Sequence, residues 1–176
     1  MAKFPDLPRG RLGPDAPTKL TAFGNLELLS CPKTALFCSA RCPGNVILAT
    51  YDQAAEWRDT GRCVISGFHS PVEKECLRIL LRGSQPVVIC PARSLPQRIP
   101  PDWKGAMDDG RLLILSAFAD SSKRVTAELA SRRNEFVAAM ANDVFIAHAT
   151  AGGHLDKLGC RLQDWGVPLW RGKDEL

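Results

Sequence analysis

The residues best suited to chemistry lie in one stretch, Ser66-Gly67-Phe68-His69-Ser70-Pro71-Val72-Glu73, which follows the apolar run Cys63-Val64-Ile65. Ser70 suits a helix N-cap, Pro71 the first helical position, and Glu73 completes an S-x-x-E capping box. A strand that passes through small residues into a capped helix turns backbone N–H groups and the positive end of the helix dipole toward the intervening loop. Ser66, Gly67 and Ser70 are therefore candidates to hold phosphate or another anion without a dedicated cation. An ordinary strand-to-helix connection has the same spacing, so the motif alone does not decide.

Three further segments carry suitable groups. Cys38-Ser39-Ala40-Arg41-Cys42-Pro43-Gly44 offers Ser39, Arg41 and backbone amides up to Gly44, and Cys90-Pro91-Ala92-Arg93-Ser94 places Arg93 just past another apolar run. In Arg132-Arg133-Asn134-Glu135 one arginine belongs on a solvated helical face beside Glu128 or Glu135, and Arg133 with Asn134 is assigned to the site. In His148-Ala149-Thr150-Ala151-Gly152-Gly153-His154 the Gly152-Gly153 pair permits close backbone approach to a ligand. His148 lacks an evident carboxylate, Ser or Cys partner, and His69 is read as hydrogen bonding to ligand or loop, so no catalytic residue is assigned.

These loops need elements to position them. Apolar runs and helical periods predict strands over residues 34–39, 63–66, 86–90, 112–116, 144–148 and 167–170. Helices are predicted over 46–60, 71–82, 103–108, 125–141 and 155–165, with Gly61 and Gly83 ending the first two. Strands that lack polar alternation and are separated by helices indicate a parallel sheet covered on both faces. The expected fold class is α/β, a Rossmann-like three-layer sandwich with a mostly parallel sheet of about six strands. In such sheets ligands bind outside the carboxyl ends of the strands, which selects the loops at 39–45, 66–70, 91–94 and 148–154.

Composition bounds the rest. The 176 residues are 45% hydrophobic and 24% charged, which suits one globular domain, expected over residues 31–176. Residues 1–30 carry Pro5, Pro8, Gly10, Gly13, Pro14 and Pro17 with Arg9, Arg11 and Lys19, a composition that predicts an arm resisting regular structure. No apolar stretch is long enough to cross a bilayer and no hydrophobic signal core opens the chain, so a cytoplasmic protein without a membrane partner is expected. The terminal Lys173-Asp174-Glu175-Leu176 spells a retention address that has meaning only after entry into the secretory pathway.

The net charge of +4 is too mild to establish nucleic-acid binding, although most of the 23 basic residues are arginine, whose planar fork suits phosphate. The 7 cysteines form no C-x-x-C pair, which argues against a disulfide framework or zinc ribbon; Cys63 and Cys90 read as core, while Cys38 and Cys42 flank the first loop. No metal or cofactor is expected. The chain has no G-x-G-x-x-G, which weighs against a nicotinamide or flavin enzyme, and no G-x-x-x-x-G-K-[ST], which removes a P-loop triphosphatase. Trp57, Trp103, Trp165 and Trp170 would serve either a core or an interaction surface.

Taken in order, Ser39-Ala40-Arg41, Ser66-Gly67-Phe68-His69 and Arg133-Asn134 followed by Asp143-Val144-Phe145-Ile146 resemble the G-S-R, S-G-x-A-x-G-I-D and R-N-R-I-I-x-G-L-S motifs of the DNA-processing protein A (DprA, or Smf) domains. These are grouped with the LOG proteins in the SLOG superfamily, and the resemblance spans residues 34–170. It implies a nucleotide or single-stranded DNA as partner, a role in DNA processing or nucleotide sensing, and pairing into a homodimer. Pro71 and Glu73 replace the Gly and Asp of G-I-D, and Glu135 stands where the second Arg of R-N-R belongs, which predicts a weaker phosphate groove. The alternative is a LOG-like nucleoside-monophosphate phosphoribohydrolase. Ala151-Gly152-Gly153-His154-Leu155-Asp156 keeps the Gly pair of that family's loop but offers only Asp156 in place of its catalytic Glu.

Overall fold

The computed structural model describes residues 9–118 and 125–172. The four-residue address at the C-terminus and the Lys123-Arg124 pair lie outside the described residues.

A single turn of helix, α1 (Arg9–Leu12), leads through a 3-10 turn at Gly13–Asp15 to β1 (Thr21–Gly24) and a second 3-10 turn at Leu26–Leu29. The alternating part follows: β2 (Lys33–Cys38), α2 (Gly44–Thr60), β3 (Cys63–Ser66), α3 (Pro71–Leu81), β4 (Val87–Ile89), α4 (Pro101–Asp108) and β5 (Leu112–Ser116). The chain continues through α5 (Ala127–Met140), β6 (Asp143–His148), α6 (His154–Asp164) and β7 (Leu169–Arg171).

The sheet has 7 strands in the order β1-β5-β4-β3-β2-β6-β7. All neighbours run parallel except β1, which pairs antiparallel with β5 so that Thr21 faces Ser116. The chain builds outward from β2 to β5 and then crosses back to lay β6 on the other side of β2. That reversal between β2 and β6 is the switch point at which parallel sheets open a crevice.

Successive strand residues point to opposite faces, and both faces are covered. Ala35, Phe37, Cys63, Ile65, Val144 and Ile146 pack with Phe136 of α5 and Leu158 of α6, while Leu36, Val64, Val87 and Phe145 pack with Val46 and Trp57 of α2 and Leu77 of α3. This double burial explains why the strands read as uninterrupted apolar runs. The three-layer α/β architecture expected from the sequence is the one formed, with a seventh strand.

The seventh strand corrects the reading of residues 1–30 as an arm without regular structure, for the part described from Arg9 onward. Leu12, Leu28 and Leu29 are buried in the α5/α6 face of the core, and β1 closes one edge of the sheet. Arg11 adds a tie at the end of α5, where its Nη1 donates to the carbonyls of Ala139 at 3.0 Å and Ala141 at 2.9 Å. Those last-turn carbonyls have no partner within the helix, so a cation there satisfies them and the negative end of the dipole.

Candidate functional site

Between the carboxyl ends of β2 and β6 lies a cleft of about 520 Å³, lined by the loop after β2, the start of α3, one side of α5 and the start of α6. Among the sequence candidates it brings together Ser39, Arg41, His69, Ser70, Arg133, Asn134 and Gly153. Gly67 and Arg93 line a neighbouring cleft of about 480 Å³, which shares His69 and Arg133 with the first. Ser66, Gly44 and Gly152 line neither.

The first loop is held by Ser39. Its N–H donates to the His148 carbonyl at 2.9 Å and its Oγ accepts the Thr150 N–H at 3.1 Å, so the loops after β2 and β6 are tied to each other across the switch point. Arg41 projects from that tied loop and is exposed. Gly152, with φ of 71°, takes the left-handed conformation that glycine adopts without steric cost, and its N–H donates to Asp156 Oδ2 at 2.9 Å. Gly152 and Asp156 thus shape the loop that presents Gly153.

The start of α3 forms the capping box expected of Ser70 and Glu73, but it is not the open anion site the spacing suggested. Glu73 is buried, and its Oε2 accepts the N–H groups of His69 at 2.8 Å and Ser70 at 3.2 Å. Its Oε1 accepts the N–H of Cys38 at 2.9 Å, from the end of β2, while Ser70 Oγ accepts the N–H of Glu73 itself at 3.3 Å. Pro71 has no N–H to offer. The helix therefore carries its own anion, and Glu73 clamps the end of β2 to the start of α3. Ser66 is also turned inward: it is fully buried, and its Oγ accepts the Phe68 N–H at 3.1 Å. Phe68 is the one non-glycine residue at positive φ among the described residues, 46°, and its ring is buried, so packing holds a conformation that an L side chain disfavours.

Arg133 forms the floor shared by both clefts. Its Nη1 donates to the Cys90 carbonyl at 3.2 Å and its Nε to Asn134 Oδ1 at 2.7 Å, and it packs directly over Gly67. Burial lowers its pKa, yet a guanidinium remains charged at physiological pH. Partial desolvation of its ring and the Arg133 charge also hold His69, although the residue is exposed, below its ordinary value of 6.5. Arg132, by contrast, is exposed and outside both clefts.

Glu135 does not line the cleft, which removes its negative charge, though not the missing arginine, from the expected weakening of a phosphate groove. Its Oε2 pairs with Arg161 Nη1 of α6 at 2.6 Å, and that guanidinium lies over the Trp165 ring at 5.3 Å from its centroid. Four of the cysteines are held as thiols by burial. Cys63, Cys76 and Cys90 are buried with thiols pushed up to about 12, and burial likewise raises Cys38, so none is a ready nucleophile. Among the described residues no group of three His, Cys, Asp or Glu converges as a metal site would require.

Sequence reasoning missed Glu73 as a clamp, because its partner Cys38 is remote in the chain. It also missed Lys74, which lines the second cleft beside Trp103, a residue the sequence left between core and interaction surface.

The family profile of DNA recombination-mediator protein A matches residues 2–159, nearly the whole chain. The chain belongs to the DNA recombination-mediator protein A family. Two solved structures of that protein share the fold. DNA processing protein A from Helicobacter pylori, a single-stranded-DNA-binding protein, is 22% identical with a TM-score of 0.78 over 97% of this chain and 78% of that one. DNA processing protein A from Streptococcus pneumoniae is 19% identical with a TM-score of 0.71 over 89% of this chain and 55% of that one. No curated protein matches the chain. As a family member the chain carries its Rossmann-like sheet and, among the described residues, no helix long and apolar enough to cross a membrane.

Proposed function

We propose that this family member binds single-stranded DNA in the cleft between β2 and β6, with Arg41, Ser39, His69, Asn134 and Gly153 toward the backbone and Arg133 beneath it. The supporting observation is the charge balance of the cleft. Arg41 is exposed and in no ion pair among the described residues, Arg133 supplies a second guanidinium, and the one carboxylate in the lining, Glu73, already accepts three backbone N–H groups. A cleft with fixed positive charge and a satisfied carboxylate attracts phosphate. The Helicobacter pylori relative binds the same polymer.

A LOG-like hydrolase needs a carboxylate at the anomeric carbon. Asp156 is engaged with the Gly152 N–H, and Glu73 is engaged on both oxygens. The binding reading accordingly expects no free base to be released from nucleoside monophosphates.

The experiment is a fluorescence titration of a labelled oligonucleotide at two salt concentrations, with the unaltered chain and Arg41→Ala. Removing one phosphate contact should weaken binding and lower the salt slope by about 0.7. Superimposable curves for the two proteins would reject the assignment. Pairing of two copies, which the family resemblance implies, completes the proposal, and the mass in solution by light scattering tests it.

A further inference from the structure

The second cleft, on the far side of His69 and Arg133, has a composition that the first does not need. Lys74 from α3 and Arg93 after β4 are exposed and in no ion pair among the described residues, and Arg78 lies beside them in an exposed pair with Glu75 at 2.9 Å. Against these cations and Arg133 the lining holds one carboxylate, Asp102. Trp103 of α4 is half-buried: it packs against the α2/α3 core and also lines the cleft. Cations that follow a phosphate backbone, together with an aromatic surface, are the two parts of a sequence-tolerant single-strand site.

We propose that the DNA strand held in the first cleft continues over His69 into the second, where Lys74 and Arg93 hold a flanking phosphate and the Trp103 indole stacks on a base. This rests on the reading above that the first cleft binds single-stranded DNA. His69 and Arg133 belong to both linings, so the two clefts share a wall and a strand can pass from one to the other without leaving the positive surface. His69, held below its ordinary pKa by burial and Arg133, presents a neutral ring at the crossing near neutral pH.

The test is a length series of oligothymidylates, from the dinucleotide upward, titrated against the full chain, the double variant Lys74→Glu/Arg93→Glu, and Trp103→Ala. The unaltered chain should gain affinity at the length that first fills both clefts. The double variant should lose that gain with length, its loss being several-fold larger on long ligands than on the shortest, which feel the altered charges only at a distance. Trp103→Ala should lose about fivefold or more on long ligands only, the factor to which about 1 kcal/mol of base stacking corresponds. Lys74 and Arg93 are surface side chains, so the double variant keeps the proposal testable if Trp103→Ala fails to fold. A double variant that follows the unaltered length curve overturns the proposal. So does a flat curve for the unaltered chain; if Arg41→Ala still weakens binding at every length in that case, the first cleft stands and only the second falls.

Discussion

The Arg133 guanidinium fills the space that a side chain on residue 67 would need: a Cβ on Gly67 would overlap its Nη1 and Cζ. Glycine after β3 thus serves close approach rather than a backbone angle, since any Cβ there would have to push the Arg133 side chain aside. The approach lets one arginine on α5 reach the Cys90 carbonyl after β4 and underlie both clefts.

Gly67→Ala should therefore displace Arg133. Overpacking of this kind costs about 1–3 kcal/mol, measurable as a lower urea midpoint at unchanged slope. Oligonucleotide affinity should fall with it, because the displaced charge is the floor of the site.

Glu73→Gln should loosen the joint between β2 and α3. Three N–H groups, those of Cys38, His69 and Ser70, lose a charged acceptor, and hydrogen bonds to charged groups contribute about 1.5–3 kcal/mol each. Amide hydrogen exchange at Cys38 and Ser70 should accelerate; unchanged protection at Cys38 would contradict the clamp.

Glu135→Gln separates two accounts of that residue. A carboxylate facing the groove would repel DNA, and its removal would tighten binding. Because Glu135 instead pairs with Arg161, the substitution should leave oligonucleotide affinity at physiological salt nearly unchanged. It should cost no more than about 1 kcal/mol of stability, as expected of a solvent-accessible pair.

Acid should strengthen DNA binding through His69. Its folded pKa lies below 6.5, so between that ordinary value and the folded one the unfolded chain binds more protons, and the His69 contribution to stability is lost as pH falls through the folded pKa. Protonation adds a positive charge where the two clefts meet, so bound DNA should raise the His69 pKa, and affinity should rise as pH falls from that raised value to the pKa of the free folded protein. A proton NMR titration of His69 with and without oligonucleotide checks both signs; His69→Gln should flatten the pH dependence.

Much of the fold was legible in the sequence because its signals are local. The S-x-x-E box starts α3 at Pro71, Gly61 ends α2, and the apolar runs mark β3 and β5 at the residues observed. Once strands alternate with helices, the rule that ligands sit at the carboxyl edge selects the loops, and seven of the candidate residues do meet in one cleft. The edge strand β1 was not legible, because Thr21–Gly24 owes its extended form to β5, far along the chain, rather than to its own Gly- and Pro-rich surroundings.

By itself, then, the sequence determined the order of elements from β2 onward, the start of α3, the end of α2 and the rim on which Ser39, Arg41, Arg133 and Gly153 stand, all consequences of neighbours a few residues apart. Tertiary structure alone decided which of those groups are left to meet a ligand. Glu73 occupies the His69 and Ser70 amides ahead of α3 and reaches Cys38, Arg161 takes Glu135 out of play, Ser66 turns inward, and Gly67 admits Arg133. Hydrogen-bond and ion-pair partners are chosen by proximity in space, and that proximity exists only after distant segments have packed.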